Sequence, residues 1–270
     1  MTSGSSGPAG LLCGSEKALL KQADAVKGRF QDDGWGVAYF GRGTGPLAYK
    51  SAEPVRLEKA AFRRAVKAAS GSAVVLAHLR DASNPKGLKR SLLKGRRNTQ
   101  PFCGNGFAFA HNGTLYIPGE IKTALGKYAG FVKGTNDSEV LFWQIMKMLD
   151  AYGTAELALE MALDEINTVW LSCKKDYPHL NAPYRDLNIM LADKKNLWTL
   201  CHFPGNPARR ALLTPGWEFG RLAWRREKHA FVFSSEPLDG GGWNKLSDLE
   251  LVRTSLSNGK LVMKLNKIAR

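Results

Sequence analysis

The sequence predicts an α+β protein in which sheets and helices stack in layers. Short apolar runs bounded by Gly, Asn and Asp are typical of strands, and longer amphipathic segments are typical of helices. The predicted strands are grouped beside pairs of helices instead of alternating strictly with them, which favours stacked layers over a parallel βαβ array. The chain has 270 residues, of which 44% are hydrophobic, and this is enough for a large core.

The first third of the chain supplies two predicted helices and three predicted strands. Residues 15–27 have a helical apolar stripe, with Ser15 placed to cap the helix. A glycine-rich turn joins two predicted strands, and a helix with a basic outer face precedes a continuous apolar run expected of a strand buried on both faces. These elements are strands 35–40 and 47–50, helix 57–69 and strand 73–79.

The rest of the chain continues the same alternation of short strands and helices. An apolar strand is predicted to end at His111-Asn112-Gly113, and a hairpin is predicted around residues 193–196. The predicted elements are strand 107–110, helices 121–125, 138–151 and 155–169, hairpin strands 187–192 and 197–202, and strands 230–234 and 261–265.

The formal charge of +15 raises the question of an anionic partner. The densest basic segment is 86–97, with six Lys and Arg side chains. It is either a polyanion site or a solvated loop on a basic protein, and the sequence favours the loop. No zinc finger, RNP-like aromatic motif or KH-type loop accompanies it, so we do not expect nucleic acid as a partner.

Targeting and cysteine patterns predict a cytoplasmic protein. Residues 1–12 lack the basic and long apolar regions of a secretory signal, and no apolar run is long enough to span a membrane. The four cysteines are widely spaced, without a CxxC pair. We therefore expect reduced thiols, no metal site and no disulfide framework.

Two sequence motifs place polar groups at strand ends. Residues 33–36 read DGWG, in which two glycines permit an unusual backbone path beside Trp35; an ordinary turn entering a strand is the alternative. Arg80 follows the predicted strand 73–79, where its guanidinium could bind a carboxylate or form a structural ion pair. His78, on the same strand, is better interpreted as a satisfied core residue than as a catalyst.

Two further motifs surround the strand at 107–110. Asn112-Gly113 offers a side-chain amide and a backbone N–H, the two donors of an oxyanion hole, although Asn-Gly is also the commonest hairpin turn. From this pair alone the turn is the better interpretation. Asp137 precedes a long predicted helix, where it could receive a ligand ammonium group. Capping of that helix by Asp137 or Ser138 is the favoured alternative.

Taken together, these motifs resemble the glutaminase domain of class II glutamine amidotransferases, and in particular its stand-alone bacterial subgroup. The matching segments are DGWGVAYF, LAHLRDAS, NTQPF, FAHNGTL and GTNDSEV. The similarity runs from Leu19 to Leu149 and continues weakly into NIMLAD and FSSEPLD. It implies the four-layer αββα sandwich of N-terminal-nucleophile (Ntn) hydrolases.

The resemblance also implies roles for individual residues. Arg80 would bind the α-carboxylate of glutamine, and Asp137 its α-ammonium group. Asn112 and the backbone N–H of Gly113 would form the oxyanion hole. Three further residues would lie at or near the substrate pocket: Trp35, Thr99 and His111.

The implied reaction is attack of a cysteine thiolate on the γ-amide of glutamine or a related γ-glutamyl compound. Ammonia leaves, and water or an acceptor amine resolves the thioester. In this family the cysteine is the first residue of the mature chain, and its α-amino group is the base, so no metal or organic cofactor is needed. No synthase domain is present, so ammonia would pass to a partner protein, a small molecule or water.

The chain departs from the family at the nucleophile, because it begins Met1-Thr2 and the nearest cysteine is Cys13. In one interpretation residues 1–12 are a propeptide or disordered segment, and the amidotransferase domain is 13–270 with Cys13 as nucleophile. In the other, residues 9–12 are the remnant of the first strand, and the chain binds glutamine without turning it over. The remaining cysteines are interpreted as structural: Cys103, Cys173 and Cys201.

Overall fold

Twelve strands form the centre of the computed structural model, which describes residues 7–27, 30–203, 210–257 and 259–268. They pair into one six-stranded and two three-stranded antiparallel sheets. The strands are β1 (Trp35–Phe40), β2 (Pro46–Ser51), β3 (Val75–Leu79), β4 (Phe102–Gly104), β5 (Phe107–Leu115), β6 (Tyr184–Ala192), β7 (Asn196–Cys201), β8 (Ala223–Arg226), β9 (Phe231–Ser234), β10 (Asn244–Lys245), β11 (Glu250–Ser257) and β12 (Lys260–Lys267).

The strand orders are β12-β11-β7-β6-β5-β4, β2-β1-β3 and β10-β8-β9. Alternate residues of the six-stranded sheet enter different cores, as the pleat of a strand requires. Leu187, Ile189 and Leu191 belong to the largest core, whereas Met190 and Ala192 pack toward β1 and β3. Residues of β7 and β11 on that second side pack in the same way against the sheet β10-β8-β9. Both three-stranded sheets therefore cover one face of the six-stranded sheet.

Helices cover the two outer surfaces. The described helices are α1 (Leu19–Gln22), α2 (Lys59–Ala68), α3 (Arg90–Leu93), α4 (Pro118–Thr123), α5 (Asp137–Tyr152) and α6 (Ala155–Cys173). The helices α5 and α6 pack on the free face of the six-stranded sheet, and α2 packs on the outer face of β1 and β3. The predicted four-layer αββα sandwich is confirmed.

Most predicted elements are present with shifts of a few residues at their ends, and strand 35–40 has the predicted bounds. The helix predicted at 15–27 is wrong in extent, because only Leu19–Gln22 is helical. Residues Gly10–Gly14 form a π-helical turn, and the Ser15 hydroxyl donates back to Leu11 O at 3.0 Å instead of capping a helix. The Lys17 N–H bonds to Leu238 O at 2.9 Å, which keeps the chain out of a helix until residue 19.

Two strand predictions are also corrected. The run at 73–79 is not buried on both faces: β3 is an edge strand, and Val75, Ala77 and His78 are only half-buried. The strand starting at residue 107 does not end in a turn at His111-Asn112-Gly113. It continues to Leu115, paired with β6, because a register irregularity after Gly113 absorbs the local distortion. The strands β4, β8, β10 and β11 were not predicted.

Candidate functional site

The two glycines of DGWG allow the chain to lie directly on the NTQPF segment. A Cβ atom on Gly36 would lie 2.2 Å from Gln100 O. One on Gly34 would lie 2.8 Å from Thr99 Oγ1, and Gly34 has a φ of 123°, which L side chains rarely adopt. Thr99 is fully buried at this contact. The glycines are thus explained by close backbone approach and not by an ordinary turn.

Gln100 joins this segment to the strand carrying the AHNGT motif. Its side-chain Nε2 donates to His111 O at 3.0 Å, and its Oε1 accepts from His111 N at 2.6 Å. The His111 ring contacts Ser138 Oγ through Nδ1 at 2.9 Å, and Ser138 is the second residue of α5. His111 is buried, and burial lowers the pKa of its imidazole.

Asp137 is held by backbone and hydroxyl groups at the start of α5. Its Oδ2 accepts from Leu115 N at 2.7 Å, and its Oδ1 accepts from Ser83 Oγ at 3.2 Å. The helix is capped by Asn136, whose Oδ1 accepts from Ser138 N, so the expectation that Asp137 or Ser138 is the cap was wrong. Asp137 is therefore a buried carboxylate that does not cap the helix and is held by hydrogen bonds from Leu115 and Ser83.

Arg80 lies in the same buried region. Its Nη1 donates to Leu93 O at 2.9 Å and to Asp33 O at 3.3 Å, and the residue is 4% exposed. Burial lowers the pKa of Arg80, while the neighbouring carboxylates Asp33, Asp137 and Asp81 raise it. Asp137 is thus close enough to Arg80 to raise the pKa of its guanidinium, although the two side chains form no direct ion pair among the described residues.

The basic segment 86–97 folds over this region. Asn98 follows this segment directly, and its Nδ2 donates to Leu92 O and Leu93 O at 2.9 and 3.1 Å. Asn98 also accepts from Thr135 N at 2.7 Å, and its carbonyl accepts from Asn136 Nδ2 at 2.7 Å. The six Lys and Arg side chains of the segment remain exposed.

Asn112 lies beside this network at a cavity of about 230 Å³. The cavity is bounded by His78, His111 and Asn112, and Asn112 Nδ2 donates to Ser235 Oγ at 3.1 Å. Gly113 follows with no room for a side chain, since a Cβ there would lie 1.9 Å from Asp186 O. His111 therefore connects the network around Asp137 to the cavity.

His78 meets the expectation of a satisfied core residue only in part, because it has a hydrogen bond with the backbone of His111 but one ring nitrogen has no partner among the described residues. Its Nδ1 is buried without a hydrogen-bond partner among the described residues, although part of the residue is accessible from the cavity. Burial lowers the pKa of His78 to about 3, and repulsion from Arg80 and His111 adds to this effect. The ring is neutral at physiological pH.

Cys13 and Trp35 lie on the other side of β1. Both pack in the core between this sheet and α2, together with Val37. Trp35 Nε1 donates to Glu58 Oε2 at 2.8 Å. Burial raises the pKa of the Cys13 thiol. Cys13 is not among the residues that line the cavity at Asn112, whereas the preceding Leu11 and Leu12 are.

The structure thus groups the predicted site residues in three places. Arg80, Thr99, His111 and Asp137 belong to one buried network. Asn112 lines the adjoining cavity, and Gly113 follows it on β5. Cys13 and Trp35 belong to the outer core. Sequence reasoning missed four residues that hold the network together, although each lies inside or next to a motif that it identified: Asp33, Asn98, Gln100 and Ser138.

Neither a metal cluster nor a membrane span is found in the described part of the chain. No group of three or more His, Cys, Asp or Glu side chains in residues 7–27, 30–203, 210–257 and 259–268 could hold a metal ion. Within the same ranges, every helix is too short or too polar to cross a bilayer.

Comparison with known proteins gives one family match and several structural neighbours. The family model of class II glutamine amidotransferases matches residues 19–211, more than half of the chain. No curated protein sequence matches. The fold is similar to a glutamine aminotransferase class-II domain protein from Silicibacter pomeroyi, with a TM-score of 0.61 and 18% identity over 87% of this chain and 92% of that one.

A second neighbour is glutamine phosphoribosylpyrophosphate amidotransferase from B. subtilis, with a TM-score of 0.58 and 16% identity. The match covers 94% of this chain and 48% of that one, so this chain spans about half the length of that relative. At these identities the structural likeness establishes the fold alone. The family match includes all the predicted site residues except Cys13, which precedes it.

Proposed function

The chain belongs to the class II glutamine amidotransferases, and we propose that it cleaves the γ-amide of glutamine, or of a related γ-glutamyl amide, through a cysteine thioester. One observation carries the proposal. The five motifs, far apart in sequence, meet in one network in which a buried cation, Arg80, lies near a buried carboxylate, Asp137.

Recognition follows from these two charges. The α-carboxylate of glutamine pairs with the Arg80 guanidinium, whose hydrogen bonds to protein carbonyls in the described structure use Nη1. The α-ammonium group pairs with Asp137. The segment 86–97 supplies Leu93 O to Arg80 and thereby helps to hold the guanidinium in place.

The proposed chemistry takes place beside Asn112. A Cys13 thiolate attacks the γ-amide carbon and forms the C–S bond, and the negative oxygen is stabilised by Asn112 Nδ2 and the Gly113 N–H. The C–N bond breaks as the nitrogen takes the proton that the Cys13 α-amino group removed from the thiol, and the nitrogen leaves as ammonia. Water then cleaves the thioester to glutamate and free thiol, unless an acceptor amine does so. Either a partner protein or a small molecule would receive the ammonia.

Cleavage between Leu12 and Cys13 would give Cys13 the free α-amino group that this mechanism uses as base. In the intact chain the turn around Cys13 is closed by Ser15 N to Gly10 O at 2.7 Å and Ser15 Oγ to Leu11 O at 3.0 Å. Both acceptors precede the proposed cleavage point. Processing would therefore release Cys13 from this turn and allow it to move toward Asn112.

A second candidate function is glutamine binding without turnover. It is favoured by the position of Cys13, which packs in the outer core and is not among the residues that line the cavity at Asn112. The raised pKa of the thiol also disfavours the nucleophilic thiolate in the unprocessed chain. In this case Arg80 and Asp137 bind glutamine, and the protein does not cleave it.

For both candidates we propose that the protein lies in the cytoplasm, where thiols remain reduced. Its four cysteines are free, and none forms a disulfide. In both, the exposed basic segment 86–97 is a solvated surface and does not bind nucleic acid.

N-terminal sequencing of the purified protein, combined with an ammonia-release assay on glutamine, separates the two candidates. The enzyme hypothesis predicts a chain beginning at Cys13 and ammonia release that Cys13→Ser abolishes. Cys173→Ser is the matched control and should retain activity, because Cys173 lies at the end of α6. A chain with an unprocessed start that binds glutamine without releasing ammonia supports the binding protein. Neither binding nor release would contradict both candidates.

A further inference from the structure

Strand β6 contains one residue more than its neighbour β5 where the two strands pass Gly113. Gly113 lies opposite Leu187 and Thr114 opposite Arg185, so Asp186 has no partner on β5. Asp186 is buried and has a φ of 58°, which residues other than glycine rarely adopt. An extra residue of this kind is a β-bulge, and bulges re-aim side chains and are frequent beside active sites.

The bulge determines the face of the sheet on which Arg185 lies. Without the extra residue, Arg185 would lie opposite Leu115, whose side chain belongs to the largest core. With it, Arg185 lies opposite Thr114 and shares the face of that residue. Asn112 is two positions from Thr114 on β5 and therefore also lies on this face. The bulge thus moves a cation away from the apolar core and onto the face of Asn112.

The two side chains brought together by the bulge have donors without hydrogen bonds. Thr114 is 3% exposed, and its Oγ1 has no partner among the described residues. The same is true of Arg185 Nε, whose nearest carboxylate oxygen is Asp186 Oδ2 at 3.5 Å, longer than a good hydrogen bond. Native proteins leave few buried donors unpaired. A hydroxyl and a guanidinium on one face therefore indicate an acceptor group that binds both.

Arg185 is accessible and lies near the candidate site, but it is separate from the charges that would hold the α-groups of glutamine. Its side chain is 29% exposed, so a ligand can reach it. Burial lowers the pKa of His111, and the positive charge of Arg185 lowers it further, so the guanidinium lies near this imidazole. Asp137 takes the N–H of Leu115, which is therefore not paired with β6. Asp137 and Arg185 thus approach β5 from opposite sides.

We propose that Arg185 and Thr114 form a second anion subsite, which binds a carboxylate on the amine part of a γ-glutamyl amide. A guanidinium and a hydroxyl both donate to carboxylate oxygens. Asn112 would hold the amide oxygen, and Thr114 is about 7 Å farther along the strand. This spacing suits a γ-glutamyl amino acid, whose carboxylate carbon is two bonds beyond the amide nitrogen. The inference rests on the proposed function and narrows its substrate to γ-glutamyl amino acids in preference to glutamine.

Calorimetric titration of the full chain with two matched ligands tests the subsite. γ-Glutamylglycine carries a carboxylate on its amine part, and γ-glutamylethylamide carries a methyl group in its place. All titrations use Cys13→Ser, which cannot form the proposed thioester, so the ligands remain intact. This parent chain should bind γ-glutamylglycine at least about tenfold more tightly than γ-glutamylethylamide, the effect of one charge-assisted hydrogen bond.

Arg185→Gln and Thr114→Val, each added to the parent chain, should bring the affinity ratio of the two ligands close to one. The affinity for γ-glutamylethylamide should stay unchanged. Arg253→Gln is the matched control and should keep the full ratio. Arg253 lies on β11 of the same sheet, is 38% exposed and is held by Glu156 and Asn196.

Thr114→Val gives a second readout, because a methyl group there replaces a buried hydroxyl that has no partner. Its thermal midpoint without ligand should equal or exceed that of the parent chain. A lower midpoint would show that the hydroxyl is already bonded in the free protein and would overturn its assignment to the ligand.

The remaining outcomes separate the subsite from the proposed function. Equal affinity of the parent chain for both ligands, or an equal loss for both in Arg185→Gln, would overturn the subsite and leave glutamine recognition intact. Binding of neither ligand, nor of glutamine, would contradict the proposed function and the subsite with it. Inorganic phosphate is the third probe. If phosphate strengthens the binding of γ-glutamylethylamide and removes the preference for γ-glutamylglycine, the pair binds a free anion, and its assignment to the substrate is overturned.

Discussion

The side-chain amide of Gln100 pairs with the backbone of His111 as a neighbouring strand would, with Nε2 donating to His111 O at 3.0 Å and Oε1 accepting from His111 N at 2.6 Å. Both residues are almost completely buried, so water cannot replace these bonds. This pair connects the NTQPF and AHNGT motifs and sets the orientation of His111 toward Ser138.

Gln100→Ala should destabilise the fold strongly. It leaves a buried N–H and a buried C=O of His111 without partners, and each orphaned group costs about 1–3 kcal/mol. We expect a loss of about 2 kcal/mol or more in the free energy of unfolding, measured by urea denaturation. Gln31→Ala, at a half-exposed position, is the control. Equal stability of the two variants would show that the pair does not hold the motifs together.

Gly36→Ala should also be destabilising, for a steric reason. Its Cβ would lie 2.2 Å from Gln100 O, so the backbone at the contact between DGWG and NTQPF must move. Overpacking of this kind costs about 1–3 kcal/mol. Gly43→Ala is the matched control, because a Cβ there meets nothing within 4 Å. The expected result is a lower thermal midpoint for Gly36→Ala alone, and a similar midpoint for both would contradict the close approach.

The free energy of unfolding should decrease as the pH is lowered from about 6.5 to about 3, because His78 is held neutral in the folded chain. Its pKa is lowered to about 3 in the folded chain from the ordinary histidine value of 6.5, so on acidification the unfolded chain takes up this proton first. The contribution of His78 to the free energy of unfolding is fully present above about pH 6.5. It is lost as the pH falls toward 3, by at most about 1.4 kcal/mol per pH unit.

His78→Asn removes that contribution. The difference in unfolding free energy between wild type and His78→Asn should change steadily from pH 7 to pH 4, with the wild type losing more. The exposed His179→Asn is the control and should parallel the wild type. Parallel curves for His78→Asn and the wild type would refute the prediction that this imidazole is held neutral in the fold.

The layers of the fold could be predicted from sequence because apolar spacing dominates where a strand or helix is buried. The strand 35–40 and the helices α5 and α6 follow their local pattern closely. Residues 15–27 do not, since the bond from Lys17 N to Leu238 O depends on a segment more than 200 positions away along the chain. Local periodicity carries no information about such a contact.

Several residues of the buried network lie in motifs that the sequence singles out, but their arrangement could not be predicted. The motifs contained Arg80 and Asp137, and the structure brings them into one network. The turn favoured for Asn112-Gly113 was wrong because pairing with β6 overrides the local turn preference of Asn-Gly. The position of Cys13 in the outer core depends on the packing of α2, which no pattern around residue 13 indicates.

Calorimetric titration of L-glutamine and its α-carboxamide analogue into wild type, Arg80→Lys and Asp137→Asn tests the central claim most directly. The analogue lacks the carboxylate and keeps the ammonium group. Arg80→Lys should weaken glutamine binding at least tenfold, or about 1.4 kcal/mol, yet leave the weak binding of the analogue unchanged. Asp137→Asn should weaken binding of both ligands, and the exposed Arg90→Lys should weaken neither. Unchanged glutamine affinity in both Arg80→Lys and Asp137→Asn would contradict the assignment of this network as a glutamine site.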